Sequence, residues 1–254
     1  MRRNIDHAFK RAFDVSASLA GLLIFSPLLT LFTLLIWLQD FKSPFYISSR
    51  VGKNDKLFKI IKLRSMIINA DKTGVDSTSL NDERITRVGH FIRSYKLDEL
   101  SQLWNVLKGD MSLVGPRPNV KRETDMYTPA EKELLSVKPG ITDFASIVFA
   151  DEGEILSGTK DPDLSYNQLI RPGKSELGLF YISHQTVFID LKIVFITMVS
   201  LISRKLALKL TTNLLESLGA STKILKISSR KYPLQAAPPP GASQIVNSRY
   251  HHNS

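Results

Sequence analysis

The chain has 254 residues and no cysteine, which excludes disulfide scaffolds, thiolate metal sites and cysteine nucleophiles. Its formal charge of +10 attracts anions: nucleic acid, anionic lipid or phosphorylated small molecules. No zinc-finger spacing, no basic region leading into heptads and no aromatic-basic RNA-binding pattern is present, so nucleic acid is set aside and lipid and phosphate remain.

The first predicted element is the apolar run VSASLAGLLIFSPLLTLFTLLIWL over residues 15–38, 24 residues without a charge. As a straight helix it would measure about 36 Å, enough for a hydrocarbon core of about 30 Å, and it is longer than the apolar core of a signal peptide. Ser26-Pro27 divides it at the middle, where the missing N–H and the ring of Pro27 predict a kink. Arg2, Arg3, Lys10 and Arg11 precede the run and Lys42, Arg50, Lys53, Lys56 and Lys59 follow it, so both flanks favour the cytoplasmic side. A re-entrant helix-break-helix bent at Ser26 and Pro27 meets both demands; a kinked transmembrane span is the alternative. Lys10 and Asp14, four residues apart, are expected to form a local ion pair.

FYISSRV and LFKIIKLRSM read as two strands around a GKND turn. A period of two puts Lys62 and Arg64 on one face, where they either meet a diphosphate or form a solvated edge. MIINADK reads as a short helix running into the polar loop TGVDSTSL, and one or two short helices surround Gly89. LDELSQLWNVLKGD reads as a clear helix with Asp98 as its cap, Glu99 in its first turn, and Leu100, Leu103, Trp104 and Leu107 as its apolar stripe. In MSLVGPRPN, Pro116 and Pro118 bracket Arg117 and fix its direction.

TPAEKELLSV is predicted to be a helix opened by a capping box of Thr128 and Glu131, ITDFASIVFA a strand, and RPGKSELGLFYISHQ a helix toward its end. The uncharged run 193–203 has eleven residues, too few to span a bilayer; it reads as a helix lying in the interface, or else as one packed in the core. KLALKLTTNLLESL continues as a second amphipathic piece, and the proline-rich chain after about residue 221 is expected to be disordered.

Several familiar motifs fail. Gly173-Lys174-Ser175 is not a P-loop, because Gln168 stands where its first glycine belongs. The five histidines make no HExxH, and there is no GxGxxG or GxSxG. What is left is the carboxylate pair Asp98-Glu99 amid basic residues. Two such groups suit a Mg2+ ion shared with substrate phosphates, and an aspartate can also attack phosphorus directly. Adjacent helical residues point about 100° apart, which favours two separate roles over a shared proton.

The stretch LDELSQLWNVLKGDMSLVGPRP resembles the signature of the bacterial sugar transferase family, small monotopic phosphoglycosyl transferases that open glycan assembly on a polyprenyl phosphate carrier. KRAFDVSASLAG, RVGKNDKLFKIIKLRSM, ITRVGHFIRSYKLDEL, KPGIT and DLKIVFIT match its other blocks in order, over roughly residues 8–203. The resemblance implies that Asp98 is a nucleophile taking the phosphosugar of a nucleotide sugar, usually a UDP-sugar, and that Glu99 is the general base for the polyprenyl (undecaprenyl) phosphate. It implies Mg2+ near Asp98, phosphate binding by Lys62, Arg64, Arg93 and Arg117, and a family break at Ser26-Pro27.

The fold class expected is α/β, mostly helical: a monotopic membrane protein with the re-entrant element, a small sheet and interfacial amphipathic helices. Residues 1–40 would form the membrane hairpin, 41–210 the catalytic domain on the cytoplasmic face of the bacterial inner membrane, and 211–254 an amphipathic extension with a disordered tail. Membrane lipid and downstream glycosyltransferases are the implied partners, and capsule, lipopolysaccharide or exopolysaccharide the implied products. The competing reading is a catalytically degenerate membrane scaffold or regulator of glycan assembly. SPFYISSRVG and ITDFASIVFADEGE depart from the family's commoner forms at Ser48 and after Thr142, which bears on substrate fit more than on phosphorus chemistry.

Overall fold

The structure, a computed structural model, describes residues 2–70 and 82–248, with side chains from Ala8 onward. Its first element is α1 (Arg2–Asp40), one long helix. Asp14, Ser18, Phe32 and Ile36 mark a stripe of helical period that is buried, while Leu19, Leu23, Ile24, Leu34 and Leu38 on the remaining surface stay exposed. The helix runs on through Pro27, so a bend at Ser26-Pro27 is a kink within one helix and not a loop between two. Pro27 cannot donate to the Leu23 carbonyl, and Ser26 Oγ donates to that same carbonyl at 2.8 Å, so the orphaned acceptor is satisfied.

Both halves of α1 are fastened to one globular body. Near its start Arg11 donates to the carbonyls of Val106 and Leu107 at 2.6 and 2.7 Å. Asp14 accepts from Ser112 Oγ and the Leu113 amide, each at 3.0 Å. The expected Lys10–Asp14 pair does not form; Lys10 reaches Asp190, because a buried carboxylate far along the chain offers a drier partner than a helix neighbour. Toward its end, Phe32 and Ile36 pack against Leu63 and Ile92, and Arg64 Nη2 donates to Asp40 Oδ1 at 2.7 Å.

The strands β1 (Phe45–Val51) and β2 (Leu57–Leu63) form an antiparallel hairpin, with Phe45 opposite Leu63 and Val51 opposite Leu57. A parallel pair joins β3 (Ser112–Val114) to β4 (Gly140–Thr142). Between β2 and β3 lie α2 (Arg87–Ser94), a 3-10 turn at Leu97–Gln102 and α3 (Leu103–Lys108), and α4 (Lys121–Thr124) follows β3. After β4 come α5 (Phe144–Val148), α6 (Glu152–Ile155), α7 (Pro162–Ser165), a π turn at Tyr166–Ile170 and α8 (Arg171–His184). Then follow α9 (Val187–Ile202), α10 (Arg204–Ser217) and α11 (Thr222–Ser229). The main core gathers Val106, Met111, Phe144, Leu177, Tyr181 and Ile193 from five different segments. The architecture is thus mostly helical with two small sheets, as a monotopic membrane protein would be.

Helix α9 resolves the two readings of its apolar run by doing both. Ile189, Ile193 and Ile196 enter the core, while Phe188, Leu191, Phe195, Met198 and Ile202 form an exposed apolar stripe on the other side.

Three local expectations are corrected. The described part of MIINADK is not helical: Met66 bridges to Ile85, the Ile67 amide bonds to the Arg84 carbonyl, and Asn69 has a φ of 62°. The rest of that segment, like Tyr250, His251 and His252, lies outside the described residues. ITDFASIVFA contributes β4 and then turns helical, because Asp143 and Ser146 form a capping box that outweighs its β-branched content. Trp104, expected in an apolar stripe, is 56% exposed, since α3 begins only at Leu103 and turns that side chain outward.

The capping box of Thr128 and Glu131 is present, with reciprocal bonds of 3.1 Å, although it opens a 3-10 turn at Glu131–Ser136. The proline-rich chain, expected to be disordered, is docked through Ser248: the Ala237 amide donates to the Gln168 carbonyl at 3.1 Å, and Gln168 Nε2 donates to the Val246 carbonyl at 2.8 Å. A proline-rich segment costs less entropy to immobilise, so a few such bonds and the burial of Pro239 hold it.

Candidate active site

The hairpin's second strand has β1 on one edge only, and side chains complete the other. Asn105 accepts from the Ile61 amide at 3.0 Å and donates to the Lys59 carbonyl at 2.7 Å, while Ser101 Oγ donates to the Ile61 carbonyl at 3.1 Å. Ser101 and Asn105 stand four residues apart on one face, so together they mimic a third strand and clamp the turn Leu97–Gln102 to β2. Lys62, next along β2, is thereby set beneath the two acids.

Asp98 does not cap a helix. The N-cap position is Lys96, no side chain caps the turn, and Asp98 is 9% exposed. Its Oδ2 lies 3.3 Å from Lys62 Nζ, and Oδ1 carries no hydrogen bond among the described residues. Glu99 Oε1 lies 3.6 Å from Lys62 Nζ and accepts from Arg117 Nη1 at 2.7 Å. Burial alone would raise the Glu99 carboxyl, but Arg117, then Lys62 and Lys96, outweigh it and hold the group well below the usual carboxylate range.

The loop carrying Arg117 is held on both sides. Lys10 Nζ and Tyr181 Oη both donate to the Val114 carbonyl at 3.1 Å, the Gly115 amide donates to Thr142, and the Gly140 amide donates to Pro116. The two backbones touch so closely that a Cβ on Gly140 would sit 2.1 Å from the Gly115 nitrogen, which requires glycine there.

Across the cleft, Lys174 pairs with Glu152 and lies 5.1 Å from the Tyr166 ring centroid. Burial would raise the Glu152 carboxyl, yet Lys174, with Arg117 and Arg93 behind it, keeps it lowered. Asp143 is instead raised by burial against its bonds from Ser146. Arg117, Asp143, Tyr166 and Lys174 line one cavity, so the segment after Thr142 that departs from the family pattern shares a cavity with Arg117.

Of the residues expected to bind phosphate, Lys62 and Arg117 join the acids. Arg64 is directed to Asp40 at the end of α1, and Arg93 makes no ion pair among the described residues. Lys174, Glu152, Ser101 and Asn105 were not anticipated; the i,i+4 spacing of Ser101 and Asn105 was the one signal available for them. Among the described residues no three His, Cys, Asp or Glu groups converge as a metal site. The open Asp98 oxygen beside Glu99 still suits a hard cation that takes its remaining ligands from phosphate and water.

The family model described as bacterial sugar transferase matches residues 5–204. The chain is 37% identical over 195 residues to the undecaprenyl-phosphate glucose phosphotransferase of Komagataeibacter xylinus, covering 74% of this chain and 35% of that protein. It is 35% identical over 196 residues to the UDP-N-acetylgalactosamine-undecaprenyl-phosphate N-acetylgalactosaminephosphotransferase of Aeromonas hydrophila, covering 74% of this chain and 42% of that one. Exopolysaccharide production protein ExoY of Rhizobium meliloti (strain 1021) is 35% identical over 210 residues, covering 77% of this chain and 86% of its own length. The match thus spans less than half of the first two relatives and most of the third. With the carboxylate pair, its basic partners and the long apolar helix all within the matched residues, the chain belongs to the bacterial sugar transferase family.

Proposed function

We propose that the protein transfers a sugar 1-phosphate from a nucleotide sugar, most simply a UDP-sugar, to undecaprenyl phosphate, giving the polyprenyl diphosphate sugar and UMP. The observation that carries this reading is the freedom of Asp98: it is buried, spared from capping, and faces Lys62 beside a Glu99 paired to Arg117. A carboxylate so placed has no structural task that its neighbours do not already perform.

In the first step an Asp98 oxygen attacks the sugar-bearing phosphorus; the bond from that phosphorus to the bridging oxygen breaks, and UMP leaves. In the second step the acceptor phosphate attacks the same phosphorus, its proton passes to Glu99, and the Asp98 carboxylate is restored. A carboxyl held low by Arg117 is a poor base. Phosphate oxygens compete for Arg117 and Lys62, and as they withdraw, burial takes over and lifts the proton affinity of Glu99 when the acceptor arrives. Mg2+ held by Asp98, with Glu99 beside it, would neutralise phosphate charge when bound.

The membrane arrangement follows the same reading. Helix α1 enters and leaves the cytoplasmic leaflet by bending at Ser26-Pro27, and the exposed stripe of α9 rests at the interface. Support comes from the fastening of both halves of α1 to one body, since a crossing helix would carry its two ends to opposite sides. The carrier's tail then stays in lipid while its phosphate meets Asp98 at headgroup height.

The test is purified protein in lipid with Mg2+, undecaprenyl phosphate and a panel of UDP-sugars, reading UMP release and lipid-linked product. Release with at least one donor is expected. No release and no trapped phosphosugar with any donor would refute the assignment and favour the scaffold reading.

A further inference from the structure

The charges around the two acids do not cancel. Arg117 pairs with Glu99, Lys62 with Asp98 and Glu99, Lys174 with Glu152, and Arg64 with Asp40. Lys96 and Arg93 are left with no ion pair among the described residues, and they stand next to each other: the Lys96 amide donates to the Arg93 carbonyl at 3.1 Å.

Lys96 is set in place at a conformational cost. Its backbone is left-handed, φ 53° and ψ 28°, where a non-glycine side chain is strained, and its carbonyl accepts the Glu99 amide at 3.1 Å. The residue is therefore gripped from both sides at the mouth of the turn that carries Asp98 and Glu99. It is half-buried and its side chain caps nothing. A glycine or asparagine would adopt this backbone more readily, so the choice of a long cation calls for a reason beyond the turn.

Resting on the proposed transfer reaction, we infer that Lys96 is a phosphate-binding residue of this site, its ammonium, together with Arg93, taking the diphosphate of the nucleotide-sugar donor. Two cations that form no ion pair among the described residues match the two negative charges of a sugar-linked diphosphate, which the internally paired cations would not neutralise. An ammonium in such a place gains from an incoming anion. The commitment is to the donor, since the acceptor brings a single phosphate already provided with Lys62 and Arg117 once UMP has left.

The experiment uses the full chain in lipid nanodiscs and compares Lys96→Gly, Lys96→Asn and Lys96→Arg with the wild type. UDP is the binding probe, read by calorimetry, and KM for donor and for undecaprenyl phosphate is measured separately. Glycine and asparagine suit the left-handed backbone, which offsets the loss of a cation near Glu99, so both variants should stay folded and melt close to the wild type. They are expected to bind UDP about 10-fold more weakly and to raise the donor KM similarly, leaving the acceptor KM within about 2-fold, while Lys96→Arg stays within about 3-fold throughout. Unchanged UDP affinity in Lys96→Gly and Lys96→Asn would overturn the inference while wild-type UMP release left the transfer reading standing. A rise confined to the acceptor KM would overturn the donor assignment. A wild type that binds no UDP and releases no UMP would bring down both.

Discussion

Replacing Arg117 with methionine tests the electrostatic logic of the site most directly. The change removes a 2.7 Å charge-assisted bond to Glu99 and leaves that carboxylate with Lys62 at 3.6 Å. A hydrogen bond to a charged group contributes about 1.5–3 kcal/mol, and the arginine side chain is 42% exposed while the glutamate is 15% exposed. Discounting for solvent around the arginine gives about 1–2 kcal/mol of lost stability at neutral pH. The pH dependence follows from the sign of the shift. Because Glu99 is depressed in the folded protein, its contribution is present above the ordinary value of 4.5 and is lost as pH falls through the lowered one. In Arg117→Met, burial is opposed only by Lys62 and Lys96, so Glu99 takes up its proton at higher pH. Unfolding of both proteins in nanodiscs from pH 7 to 3 should show a constant gap above pH 4.5 that closes below it. A gap that does not change with pH would mean that Arg117 stabilises the protein through something other than Glu99, and the proposed competition between phosphate and Glu99 would lose its basis. Transfer should fall at least about 10-fold in the same variant, a barrier increase of about 1.4 kcal/mol or more.

Asp98→Asn should abolish both transfer and the trapped phosphosugar adduct, seen by mass spectrometry after donor is added without acceptor; full turnover would exclude the covalent step. Glu99→Gln should stop turnover while still allowing adduct to accumulate, so normal lipid product from this variant would remove Glu99 as the base. Asn105→Ala orphans the Ile61 amide and the Lys59 carbonyl on β2. At about 1–3 kcal/mol for each unsatisfied group, taken toward the lower end because both bonds are only part-buried, it should lower stability by about 2–4 kcal/mol, measured by chemical denaturation, and an effect under about 0.5 kcal/mol would show that the edge of β2 is not held by this side chain. Chelation of divalent ions should suppress UMP release, restored by added Mg2+; undiminished release in chelator would argue against a metal at Asp98.

Much was legible where the signal is local. The hairpin of β1 and β2 follows from alternation around a turn, and its first strand has the bounds read from FYISSRV. The Thr128–Glu131 box and the long apolar helix are equally local, being matters of spacing and composition. Helix type was less legible: ITDFASIVFA reads as a strand by content, yet Asp143 and Ser146 satisfy the first amides of α5, a contest decided by two hydrogen bonds. The docked tail was missed because composition measures how little core a segment offers, not whether another surface will hold it.

The chemistry divides in the same way. The order of residues alone determined that two adjacent acids stand before a rigid Pro-Arg-Pro loop and after a long uncharged run with basic flanks, since those are properties of neighbours along the chain. Tertiary structure alone decided that Lys62 rather than Arg64 meets Asp98, that Lys10 leaves Asp14 for Asp190, and that Lys174 pairs with Glu152. Each of those pairings joins residues at least 22 positions apart. Over such separations the partner of a charge is settled by which buried groups must be neutralised once the core has closed, and no pattern of sequence neighbours carries that information.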